Sequence, residues 1–236
     1  MTKGVIYYTD NRLDEPIVSA VQREIKKAGL PIVSCSLTPI DFGKNIVLDL
    51  EPGPTTMFRQ ILTALEASRA AIVYFAEHDV LYSKTNFDFT PPDKDTFYYN
   101  TNVYKLRNDG MALWVDNCRQ ASGICVYRET AINHYRERIE YVEKYGYNRK
   151  IGFEPGTHGR IEWKDKYKSE SWLSEYPNLD IRHEGNLTPN RWREDQFRNK
   201  KSIIGWKFVE EIPGWGKTAG RFDEFIKDVG RGKICV

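Results

Sequence analysis

The sequence predicts an α/β fold: one mixed sheet flanked by helices, followed by an irregular C-terminal extension. Strand-like and helix-like periodicities alternate through the first third of the 236-residue chain. The strand segments there are apolar runs of the kind found in parallel sheets covered on both faces. Beyond Tyr82 the pattern changes to short strand candidates, Gly-Pro punctuation and interspersed aromatic residues, which reads as antiparallel or mixed pairing.

Taken in order, Gly4 to Thr9 reads as a strand. Glu15 to Ala28 reads as a helix, with Pro16 in its first turn, apolar positions at Ile17, Val18, Val21 and Ile25, and Gly29 as its stop. Pro31 to Leu37 is a second strand. Pro54 to Arg69 is a second helix with Met57, Ile61, Leu62 and Leu65 on one face, and Ala70 to Phe75 is a third strand. Short strand candidates follow at Thr96 to Leu106, Met111 to Val115 and Gly123 to Tyr127. Glu129 to Lys144 is a third helix with a stripe of Ile132, Tyr135, Ile139 and Val142, and Ala219 to Val229 makes a last short helix. The expected organisation is one domain over residues 1–185, with a basic and aromatic extension over 186–236 packed on it.

Composition narrows the function classes. Thirty-five Lys and Arg stand against 33 Asp and Glu, a balance that does not call for a polyanionic partner. The four cysteines, Cys35, Cys118, Cys125 and Cys235, show no metal-finger spacing and read as reduced thiols. No segment reads as a secretory signal or membrane span, so a cytoplasmic location is expected. The Asn186-Leu187-Thr188 glycosylation match is then incidental.

The most telling segment is Ala70 to Asp79, an apolar run that ends on Glu77-His78-Asp79. The carboxyl end of a core strand opens onto the ligand crevice of an α/β protein. In an extended segment, side chains two apart share a side. Two carboxylates on one side suit a hard divalent cation, magnesium or manganese rather than zinc. A solvated turn is the plain alternative.

This helix, strand and acid-x-acid turn, with Val80-Leu81-Tyr82 behind it, resembles the donor-site segment of glycosyltransferases with the A-type fold, of the family-2 kind. Ser122-Gly123-Ile124-Cys125-Val126-Tyr127-Arg128 matches a second segment of that family, ahead of the third helix. The resemblance covers roughly the first 185 residues and implies a Rossmann-like mixed sheet. It also implies a metal-dependent hexosyltransferase-like activity that moves a sugar from a nucleotide-diphosphate sugar, a UDP-sugar by first choice, to a hydroxyl acceptor. Glu77 and Asp79 would hold Mn2+ or Mg2+. Glu77 stands where the family has Asp. Thr9, Asp10, Asn11 and Arg12 would hold the nucleotide, with Asp41 and Arg59 as further donor-binding candidates. His183, after a short strand-like run, is the candidate third metal ligand.

An inverting enzyme of this kind needs a base for the acceptor hydroxyl. Glu154, after the third helix, is the first candidate and Asp116 the second. Of the other histidines, His78 is expected to point away from its carboxylate neighbours, His134 to lie on a helix surface, and His158 to sit in a surface loop. The acceptor is a glycan by default. Arg191, Arg193, Arg198, Lys200, Lys201 and Lys207, interleaved with Trp192, Phe197 and Trp206, leave open a hydroxymethylated base in DNA.

From a different class, the chain reads as a non-catalytic nucleic-acid-binding or interaction module on an α/β scaffold. A nucleotidyltransferase fits less well, because Thr9-Asp10-Asn11-Arg12 is not a glycine-rich loop. Gly214-Trp215-Gly216-Lys217-Thr218 imitates a phosphate-binding loop, but Glu211 stands where its first glycine belongs. The nucleotide, the sugar and the oligomeric state are not specified by the sequence.

Overall fold

A computed structural model describes residues 1–157, 166–186, 189–197, 203–234 and 236. The first half contains β1 (Lys3–Thr9), α1 (Glu15–Lys26), β2 (Ile32–Ser36), β3 (Lys44–Val47), α2 (Pro54–Ala67), β4 (Ile72–Glu77) and β5 (Val80–Leu81). Next come β6 (Thr96–Asn100), β7 (Val103–Leu106), β8 (Ala112–Trp114), β9 (Ile124–Tyr127) and α3 (Arg128–Tyr145). The last part holds β10 (Lys168–Trp172), β11 (Asn178–Ile181), β12 (Lys207–Val209), β13 (Glu211–Ile212), β14 (Gly216–Lys217) and α4 (Phe222–Gly230).

Among the described residues, the main sheet has seven strands in the order β10-β6-β9-β4-β1-β2-β3. Strands β1 to β4 run parallel, and β9 is inserted antiparallel to both β4 and β6. This is the expected mixed α/β sheet flanked by helices. The period-two alternation of strand side chains divides the core into two faces. Val5, Tyr7, Ile72 and Tyr74 pack with Ile17, Val21 and Ile25 of α1 and with Phe225, Ile226 and Val229 of α4. Ile6, Tyr8, Val73 and Phe75 pack with Phe58, Ile61 and Leu65 of α2 and with Ile132, Tyr135 and Ile139 of α3. Residues after 186 therefore share the core of the first domain.

A second sheet, β12-β8-β7-β11-β5, is smaller and largely antiparallel. The single run expected over Thr96 to Leu106 is split between the two sheets. Asn100 makes the break: its side-chain oxygen accepts from the backbone N–H of Asn102 and of Ser174, and β7 then joins the other sheet. Gly123 serves a close approach at the start of β9, where a Cβ would lie 2.7 Å from the Asn100 carbonyl oxygen. Trp215 is buried and donates its indole N–H to the Pro177 carbonyl at 2.7 Å, so the segment that imitates a phosphate loop is part of the core.

Candidate functional site

Strand β1 has β2 on one side and β4 on the other. The chain therefore changes direction of travel across the sheet between β1 and β4, and ligands of open α/β sheets bind outside the carboxyl ends at such a switch point. Thr9 ends β1 and Glu77 ends β4, with Tyr8 and Glu77 paired in register. A two-residue turn, His78-Asp79, then leads into β5 of the second sheet. In that sheet β11 pairs with β5, placing Asp180 opposite Val80. His183 follows β11, so both sheets deliver residues to one corner.

At this corner the Asp79 carboxylate faces His183, with Oδ2 to Nε2 at 3.3 Å. Asn186 donates its side-chain N–H to the same Oδ2 at 2.6 Å, while its own oxygen accepts from the His183 backbone N–H. His78 places Nδ1 2.8 Å from the Thr9 hydroxyl and 3.9 Å from Asp10. One potential ligand atom from each of His78, Asp79 and His183 lies within 4.8 Å of the others. His78 thus turns toward Asp79, contrary to its expected direction. The reason is local: alternation of sides applies only to extended backbone, and the chain leaves β4 for a turn at residue 78.

Glu77 is engaged differently. The Tyr8 hydroxyl donates to its Oε1 at 2.6 Å, and its backbone N–H donates to the Tyr82 hydroxyl. Burial, with repulsion from Asp79 next, pushes the Glu77 carboxyl up to about 8. Burial also opposes ionisation of Asp79, but the His183 hydrogen bond and the charges of His78, His183 and Arg182 outweigh it and hold this carboxyl below its usual range. Asp180 is raised, chiefly by burial, against the pull of Arg182 at 3.3 Å. The two acids of the Glu77-x-Asp79 pair are thus shifted in opposite directions.

The expected nucleotide loop adjoins this corner. Asn11 has a positive φ of 62° and accepts from the backbone N–H groups of Leu37 and Thr38, tying the β1 loop to the end of β2. The Arg12 backbone N–H donates to Asp10, leaving the Arg12 side chain exposed. Gln60 of α2, which sequence reading missed, donates to the carbonyls of both Thr9 and Cys35. A buried glutamine on an apolar helix face was its signal. Asn186 was also missed, hidden in the glycosylation match.

Other expected residues have different surroundings. Arg59 pairs with Glu143 of α3 at 2.8 Å, and Asp41 is exposed between β2 and β3. Asp116 is exposed just after β8. Because β8 runs antiparallel to β7, and β7 parallel to β11, Asp116 stands at the opposite end of the second sheet from His183. Glu154 is buried against Arg138 at 2.5 Å and faces His134 at 3.6 Å. Burial raises its pKa, but these partners outweigh it and bring it to about 2. A paired carboxylate held that low is a poor base, and we assign neither Glu154 nor Asp116 that role.

His134 is fully buried rather than on a helix surface, because it lies four positions before Arg138 on the inward side of α3. Of the basic stretch, Arg193 pairs with Asp195 and Arg191 lies over Phe197 at 5.3 Å. His158, Arg198, Lys200 and Lys201 fall outside the described residues. No helix among the described residues is long and apolar enough to cross a membrane.

The seven-stranded mixed sheet, with helices on both faces and a corner at the β1–β4 switch point, is an α/β architecture of the open-sheet kind. No protein-family model matches the chain, and no curated protein matches its sequence. Solved structures similar to it include the apo-form glycosyltransferase GlyE of Streptococcus pneumoniae TIGR4. That likeness has 13% identity and a TM-score of 0.44, over 72% of this chain and 45% of that one. The chain thus spans less than half of the pneumococcal protein. A glycosyltransferase involved in glycosylation of the major capsid of PBCV-1 shows 9% identity and a TM-score of 0.45, over 76% of this chain and 92% of that one. The inositol-1-phosphate CTP transferase from T. maritima shows 9% identity and a TM-score of 0.46, over 80% and 92% of the two chains.

Proposed function

We propose that the protein is a metal-dependent glycosyltransferase that transfers a sugar from a nucleotide-diphosphate sugar to a hydroxyl acceptor. One observation carries this reading: the Thr9 loop, the His78-Asp79 turn and His183 meet at the carboxyl ends of the strands flanking the switch point. Ligands of such sheets bind there. The donor set of one ionised carboxylate and two imidazoles fits a divalent cation, and Asn186 and Thr9 hold the ligands from behind. A bound cation offsets the negative charge that gathers on the departing nucleoside diphosphate.

The chain's own groups supply the positioning. Gln60 holds the ends of β1 and β2 together, and Asn11 fixes the loop between Thr9 and Arg12 against the end of β2. Arg182, 3.3 Å from Asp180, favours ionised Asp79 through its charge. We take a UDP-sugar as donor and a glycan as acceptor. The test is a screen of nucleotide-sugars for metal-stimulated release of nucleoside diphosphate, repeated with Asp79→Ala. Release that needs manganese and is lost in the variant supports the reading, and full activity in the variant overturns it.

A further inference from the structure

We infer that this corner selects a first-row transition cation with an affinity for imidazole, such as cobalt(II) or zinc(II), over magnesium, and that His78 is a ligand in place of Glu77. This rests on the metal-binding part of the reading above, but not on the transfer reaction. The acid-x-acid pattern alone describes an oxygen site. Its geometry in the fold is different: the three convergent groups are His78, Asp79 and His183, two nitrogens and one oxygen. Imidazole suits zinc, copper, iron and nickel, whereas carboxylate, carbonyl and water suit magnesium and calcium.

One distance already suits such a centre. Metal–ligand bonds of ~2.0–2.2 Å set neighbouring ligand atoms about 3–4 Å apart. Asp79 Oδ2 and His183 Nε2 stand at 3.3 Å, and the ligand atom of His78, within 4.8 Å of both, would draw in on the cation. The contact at His78 allows the usual pattern for metal-bound histidine, in which the nitrogen not used for ligation donates its N–H to a fixed partner. The Thr9 hydroxyl occupies His78 Nδ1 at 2.8 Å and leaves Nε2 to ligate.

At His183 the Gly185 backbone N–H donates to Nδ1 at 3.1 Å, so the neutral ring carries its proton on Nε2, toward Asp79. Ligation through Nε2 would use the other tautomer, with Nδ1 protonated and the Gly185 amide released. Glu77 Oε1 is already engaged by the Tyr8 hydroxyl.

Calorimetric titration of the chelator-treated protein with cobalt, zinc, manganese or magnesium chloride, without nucleotide, tests the inference. One cobalt or zinc ion per chain is expected, bound at least about 10-fold more tightly than magnesium, with visible absorption from the cobalt site. His78→Ala and His183→Ala should each weaken cobalt binding by about 10-fold or more, and Glu77→Gln should leave it within about 3-fold. His78→Gln, checked for an unchanged circular dichroism spectrum, separates ligand loss from misfolding. Equal affinity for magnesium and cobalt, or loss in Glu77→Gln with retention in His78→Ala, overturns the inference. Tight cobalt binding without turnover of any nucleotide-sugar refutes the transferase reading and leaves the site standing.

Discussion

Two corners of the molecule each set a carboxylate against a histidine, and they differ in what surrounds the pair. In the core, Glu154 faces His134 at 3.6 Å while Arg138 neutralises it at 2.5 Å, and none of the three side chains is more than 6% exposed. At the strand ends, Asp79 faces His183 at 3.3 Å, with side chains 11% and 24% exposed. There Glu77 and Asp180 add two more acids against Arg182. The first pair is closed by a cation from its own chain, stacked 3.9 Å from the Phe58 ring, and so serves packing. The second is more open, and its Asp79 carboxylate meets the side chains of His183 and Asn186, which is where the proposed cation would sit.

The comparison breaks most readily at Glu154. Glu154→Ala removes one partner of the buried Arg138 ion pair, a change that costs about 3–5 kcal/mol. Denaturant unfolding should show that loss, and a change below about 1 kcal/mol would remove the core corner's structural role. Asp79→Ala should do the reverse: metal-stimulated release of nucleoside diphosphate falls about 100-fold or more, while the unfolding midpoint stays close to that of the parent. A variant that unfolds readily but turns over normally would merge the two corners into one class.

Acid sharpens the contrast further. The Glu154 pKa is depressed from 4.5 to about 2, so its contribution is complete above about pH 4.5 and disappears as pH falls through about 2. His134 is lowered by burial, so its titration acts in the same direction. Unfolding midpoints measured across that window should fall with acid, and Glu154→Gln should flatten the slope. The smallest effect is expected at the surface. Arg59→Ala removes an exposed pair with Glu143 worth less than about 1 kcal/mol, and calorimetry with uridine diphosphate and manganese should show unchanged affinity.

Much of the scaffold was legible because it rests on periodicity. The apolar stripes of α1, α2 and α3, and the runs that became β1, β2 and β4, are local patterns. β3, β5, β10 and β12 to β14 were not legible. They are short, and β3 and β10 are edge strands with mixed exposure, held by partners remote in sequence. The candidate site was legible in part for the same reason. Asp79, His183 and the Thr9 loop are strand-end residues that the crevice rule finds. The exchange of Glu77 for His78 depends on a two-residue turn, and the burial of Glu154 on a partner and a histidine of α3. Neither leaves a mark in spacing.

The His78-Asp79 turn is the direct link between β4 of one sheet and β5 of the other, and Asp79 meets His183 across 104 positions of chain. Contacts of such separation form only after long segments have been brought together. A cation held there binds only molecules in which both sheets have already closed, and stabilises them by mass action. Amide hydrogen exchange in β5 and β11 should therefore slow together when metal is added. Folding of the smaller sheet and filling of the site are then one equilibrium.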